Sequence, residues 1–172
     1  MPSLYEITVP IFTRALRNLD HLLAKANASD VSEHDLLGAR LAPDMLPLTK
    51  QVQIACDTAK LAVTRVAQTE PLPMADEETS IAELRDRIAR TIAYLEKAEP
   101  AAFDGREAAE IILKLPNTQM TFTGQSLITD FSLPNFFFHV TTAWTAADEG
   151  RGDRQAGLSR RRSGGQLTGR QA

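Results

Sequence analysis

The 172-residue sequence predicts a mainly α protein: an antiparallel four-helix bundle with a small β-hairpin before the last helix. Three observations predict it. Ile81, Leu84, Ile88, Ile92 and Leu95 recur at threes and fours, which places them on one helical face. The same spacing links Leu4, Thr8, Ile11, Ala15, Leu19, Leu22 and Ala26, and again Leu48, Val52, Ala55, Ala59, Ala62 and Val66. Between residues 110 and 123 the period drops to two, with Ile111, Leu113 and Leu115 alternating with polar neighbours and Met120 and Phe122 doing the same.

The first helix is expected over residues 3–27. Ser3 can cap it, and Glu6 stands at capping-box spacing. Pro10 lies inside that span, so a bend is expected there. Residues 28–47 form a connection with a short helical turn around 33–41. Pro47 is suited to be the first residue of the second helix, 47–67, because the first turn has no use for the missing N–H. The small residues of that helix let a neighbour approach closely, and Cys56 and Val63 border the stripe.

A loop over 68–78 holds Pro71, Pro73 and the acidic run Asp76-Glu77-Glu78. Thr79 or Ser80 then caps the third helix, with Ser80 and Glu83 at capping-box spacing, and Pro100 ends it. The hairpin is expected to turn around Pro116-Asn117-Thr118 and to close at Gly124. The last helix starts near Ser126 and continues beyond Pro134, which either kinks it or opens it afresh.

Composition narrows the class. The body up to Trp144 carries 13 Lys plus Arg against 19 Asp plus Glu, and an acidic body speaks against nucleic-acid binding. Cys56 is the single cysteine, which excludes an intramolecular disulfide and fits a reducing cytoplasm. The start M-P-S-L-Y-E-I-T-V-P lacks the basic and apolar regions of a signal peptide. No apolar run reaches the roughly 20 residues a membrane span needs. A cytoplasmic protein without membrane contact is expected.

Three segments carry a family resemblance. They are S-L-Y-E-I-T-V-P at the start, A-R-L-A-P-D-M-L-P-L-T-K-Q-V-Q-I-A-C-D-T-A-K from Ala39 to Lys60, and L-P-N-F-F-F-H-V-T-T-A-W from Leu133 to Trp144. Together they resemble a bacterial family, number nineteen ninety-three among the domains of unknown function, grouped with the DinB-like (damage-inducible) bundles. The resemblance spans residues 1–144. It implies an up-down-down-up bundle and, from the wider superfamily, a homodimer. It implies no named reaction.

The chain departs from that family after Trp144. Residues 145–172 hold six Arg, six Gly and, as bulky apolar residues, Leu158 and Leu167 alone. Such a segment buries too little to offset its ordering entropy, so a disordered tail is expected. Family members continue with roughly I-L-R-H-N-G-V-x-I-G-K-x-D-F-L-G. Codons for Asp153 to Arg161, read one base later, permit I-G-K-Q-D-F-L-G. Residues 145–172 therefore read as a frameshifted C-terminus; the alternative is a genuine basic tail for nucleic acid or membrane. Arg-rich tracts are weak motifs, which favours the frameshift.

No complete catalytic motif is present. DinB-like bundles often bind a divalent metal through three histidines, two of them at i and i+4 on the last helix. His139 resembles the first of that pair, but its i+4 partner is Ala143, and His21 and His34 do not match the pattern. The triad is incomplete. Metal held by His139 with carboxylates such as Asp44 or Asp57 is the less favoured reading, and a buried, hydrogen-bonded His139 the more favoured.

Asp44 suits an N-terminal partner of the second helix, or a carboxylate at the bundle mouth facing His139. Gln53 and Asp57 stand four apart on one face, beside Gln51 and Cys56, and are solvated unless they turn inward to form a polar pocket for a small ligand. Cys56 suits an inert packed residue. Arg40 suits pairing with a nearby acid, or binding an anionic ligand. Phe136, Phe137 and Phe138 cannot all face one core, so at least one meets a second surface; Tyr5 and Trp144 suit the core or its edge. Two functions stay open: a small-ligand or metal-binding bundle, with enzymatic versions included, and a non-catalytic dimeric structural or interaction protein.

Overall fold

The computed structural model describes residues 2–28, 30–115 and 118–150. Its helices are α1 (Val9–Asn27), α2 (Glu33–Gly38), α3 (Leu48–Ala67), α4 (Ile81–Leu95), α5 (Gly124–Ser126) and α6 (Leu133–Gly150). Strands β1 (Glu110–Leu115) and β2 (Thr118–Thr123) form an antiparallel hairpin in which Leu113 faces Met120 and Ile111 faces Phe122. The alternation is realised in β1, where Ile111 and Leu113 are buried and Ile112 is exposed; in β2 Phe122 is half-buried, but Met120, opposite Leu113 at the end nearer the turn, is exposed against expectation. The expected turn at Pro116-Asn117 falls outside the described residues.

Four long helices form the bundle, and specific pairs settle their directions. Phe12 packs edge-on against Phe136, and Ala26 lies near Ala147, so α1 and α6 run parallel. Asp57 pairs with Arg87 and Thr64 with Tyr94, so α3 and α4 also run parallel. Gln51 meets His139 and Thr58 meets Asn135, so α3 opposes α6. Asp20 with Arg85, and Arg17 with Glu96, set α1 against α4. The order is up-down-down-up.

A parallel α3–α4 pair needs a connection that returns the length of the bundle. α3 is about 30 Å long at 1.5 Å per residue. Residues 68–80 reach ~43 Å when extended at ~3.3 Å each, but only ~20 Å as a helix at ~1.5 Å each, so the return requires largely extended backbone. Pro71 and Pro73 favour that extended backbone. The segment lies as a strap along α3 and α4: Lys60 donates to the carbonyl of Leu72, Arg87 to that of Ala75, and Tyr94 to that of Glu70.

Several expectations change in detail. Ser3 and Glu6 do cap each other, but they close a separate turn, and α1 begins at Val9. Pro10 therefore sits in the first turn, where its missing N–H is not needed, and bends nothing. Pro47 precedes α3 as its N-cap, and it is not the first helical residue. The Ser80–Glu83 box forms as expected.

Between α5 and α6, residues Leu127–Ser132 wind as a wide π-helical turn. Pro134 cannot donate to a carbonyl four residues back, and the wider winding ahead of it accommodates the ring. Pro134 thus opens α6 and does not kink it. Gly124 is required where the hairpin meets α5. A Cβ there would lie 2.0 Å from the Arg106 carbonyl oxygen.

α6 does not stop at Trp144. It continues to Gly150, and Ala146 and Ala147 are buried. No proline or glycine interrupts residues 145–149, and the alanines are small enough to pack inside. The rest of the expected tail, residues 151–172, lies outside the described residues. Trp144, expected in or at the core, is 45% exposed. Phe136 is buried, whereas Phe137 and Phe138 point outward. Among the described residues no helix is long and apolar enough to cross a membrane.

Candidate functional site

α3 lies between two neighbours, and its polar residues divide accordingly. Residues 51 and 53 are about 200° apart on a helix, so they face different partners. Gln51 turns to α6. Its Oε1 stands 2.6 Å from His139 Nδ1, and its Nε2 donates to the Leu46 carbonyl at 3.1 Å. Both side chains are buried, and burial holds the His139 imidazole below its ordinary pKa.

Gln53 and Asp57 turn instead to α4 and the strap, where they meet Arg87. The Arg87 side chain is 1% exposed. Its guanidinium contacts Asp57 at 2.7 Å, Glu78 at 2.8 Å and Asp76 at 3.0 Å. Lys60 adds a second cation 2.9 Å from Asp57. Gln53 Nε2 donates to Glu78 Oε2 at 2.6 Å.

Burial would raise the Glu78 pKa, but hydrogen bonds from Arg87 and Gln53 outweigh it and hold the carboxyl below its usual value. Burial likewise opposes the charge on Arg87, yet Glu78 and Asp57 hold it firmly protonated. Cys56, packed behind this cluster, has its thiol pushed up to about 12 by burial, against opposing effects of Thr91 and Arg87. That is an inert cysteine. The sequence contained one sign of the cluster: Arg87 falls at i+3 from Leu84, on the buried side of α4.

The expected site residues therefore occupy three surroundings. His139 sits in the α3–α6 seam, and Gln53 and Asp57 sit in the α3–α4 seam. Asp44 and Arg40 are exposed on the connection before α3. Asp44 does not cap α3, since Pro47 holds that position. Arg40 donates to the Met45 carbonyl, and no acid partners it among the described residues.

A three-histidine metal site does not fit this donor set. His139 Nδ1 is engaged by Gln51, Ala143 presents a buried methyl, and His21 and His34 are exposed elsewhere. Among the described residues no three His, Cys, Asp or Glu group together to hold a metal ion.

A ligand-sized space exists on a third face of α3. Ile54, Asp57, Thr58, Leu61, Ala62 and Arg65 follow helical spacing and form one wall of a cleft of about 360 Å³. Leu113 and Lys114 of the hairpin, with Leu127, Phe131, Ser132 and Asn135, form the other. Asn135 Nδ2 donates to Thr58 Oγ1 at 2.9 Å across the base. Burial depresses the Arg65 guanidinium pKa. Of the expected residues only Asp57 borders this space. Sequence reasoning missed the cleft because its second wall, from the hairpin and residues 127–135, meets α3 only on folding.

A larger groove of about 530 Å³ lies between the strap and α4. Its walls are mostly charged, with Glu77, Glu83, Asp86 and Arg90 and no bulky apolar side chain. It lacks the apolar lining of a small-molecule site.

Comparison with known proteins agrees with the architecture. The chain is similar over 85% of its length to 85% of a crystallised DinB family member protein from Shewanella denitrificans, with 38% identity and a TM-score of 0.77. No curated protein matches the chain. The model of a domain of unknown function, DUF1993, matches residues 4–146. The chain belongs to the DUF1993 family and adopts a DinB-like helical bundle.

Proposed function

We propose that the chain binds a small organic molecule in the cleft between α3, the hairpin and the start of α6. One observation carries the reading: a space of about 360 Å³ with apolar walls and a few convergent polar groups. Cavities of roughly 300–1,000 Å³ with that lining are where small ligands bind. Rigid elements build it, namely a long helix, a paired hairpin and a capped turn. NMR amide shifts on titration with a mixed fragment set test the proposal. Shifts should concentrate at residues 54–65, 113–114 and 127–135, and Thr58→Trp, which fills the space, should remove them. Shifts confined to the His139–Gln51 seam, or none at all, would refute it.

The outer face of α6 favours a second, compatible reading, a homodimer. Phe137, Phe138 and Trp144 are all more than 40% exposed. Residues 137 and 144 are seven apart and share a face, so a second copy packed antiparallel would set Trp144 against Phe137. Sedimentation of wild type and Trp144→Glu tests this: wild type should be a dimer and the variant a monomer.

A further inference from the structure

We infer that the cleft selects an amphipathic anion, a carboxylate on a short apolar body, with Arg65 as the group that recognises its charge. This rests on the cleft being a ligand site, as proposed above. Arg65 is half-buried at the cleft wall, and among the described residues no carboxylate pairs with it. Lys114 lines the same space and likewise has no described acidic partner. The one acid there, Asp57, is already engaged from its other side by Arg87 and Lys60.

The uncompensated charge of the cleft is therefore positive, and a planar guanidinium matches a carboxylate with two parallel hydrogen bonds. Thr58, Ser132 and Asn135 line the same space and add uncharged polar groups to it. Ile54, Leu61, Leu113 and Phe131 supply the apolar surface for the rest of the molecule.

Three probes of one length separate charge from shape: octanoate, octanamide and octylammonium. Titration calorimetry on the full chain should give octanoate at least tenfold tighter binding than octanamide, and the weakest binding for octylammonium. Arg65→Gln should reduce the octanoate preference to under threefold. Arg14→Gln, on the exposed face of α1, should leave it intact. Circular dichroism melting checks that both variants fold, and Arg65→Lys, which keeps the charge, should restore part of the preference. Equal binding of octanoate and octanamide would overturn the anion inference while leaving a small-molecule cleft standing. Absence of octanoate binding, or a preference that survives Arg65→Gln, would also overturn it. If the fragment titration shows no cleft shifts either, the ligand-site reading falls with it.

Discussion

Gln51 accepts a hydrogen bond from His139 Nδ1 at 2.6 Å, and this contact defines the imidazole. The Gln51 amide nitrogen donates to the Leu46 carbonyl, which turns the amide oxygen toward the ring. An amide oxygen only accepts, so Nδ1 carries the hydrogen. The same contact ties α6 to the start of α3 in the interior.

Breaking that contact has a defined cost and pH signature. Gln51→Leu strands a buried ring nitrogen and should cost about 1–3 kcal/mol in urea unfolding at pH 8. Burial holds the folded pKa of His139 below the unfolded value of about 6.5. The unfolded chain takes up that proton first as the pH falls. The contribution is thus fully present above about pH 6.5 and is lost as pH drops toward the folded pKa. Gln51→Glu places a carboxylate against Nδ1, so NMR titration of the ring should show a raised pKa.

Arg87 should be the costliest polar residue to remove. Arg87→Met leaves Glu78 without a cation, and Asp57 and Asp76 with only Lys60 and Lys50, for an expected loss of about 3–5 kcal/mol in chemical denaturation. Arg87→Met combined with Glu78→Gln should lose less than Arg87→Met alone, because one stranded charge is gone. The folded pKa of Glu78 is depressed. Its contribution is present above the unfolded carboxyl value of about 4.3 and is lost as pH falls through the lower folded value. The stability slope in that acid window should flatten in Glu78→Gln.

Gly124→Ala tests the close approach that seats the hairpin. The added methyl meets a backbone oxygen, which cannot rotate away as a side chain can. The junction must shift, at an expected ~1–3 kcal/mol. The hairpin also forms one wall of the cleft, so thermal melting and fragment binding should weaken together.

Local signals in the chain were enough for most of the elements. The spacing of Ile81, Leu84 and Ile88 marked α4, and the Ser80–Glu83 pair marked its first turn. Both depend only on neighbours within one helical turn. The period of two at Ile111 and Leu113 marked the hairpin for the same reason. The first helix was read too long because Ser3 and Glu6 make the same box whether they start a helix or close a lone turn. Trp144 was read as a boundary because residue 145 begins a polar composition, yet a polar helix end can still bury two alanines.

The amino-acid order alone determined four amphipathic helices and one hairpin, since periodicity acts over a few residues. It did not determine which helix each face of α3 would meet. Gln51 and Gln53 are two residues apart in the chain and look alike, but one seats a histidine of α6 and the other a glutamate of the strap. Packing decided that, through the parallel pairing of α3 with α4 and the strap it requires. The cleft is tertiary in the same sense: Arg65, Lys114 and Ser132 are far apart in sequence, and only the seating of hairpin and π-turn on α3 gathers them around one space.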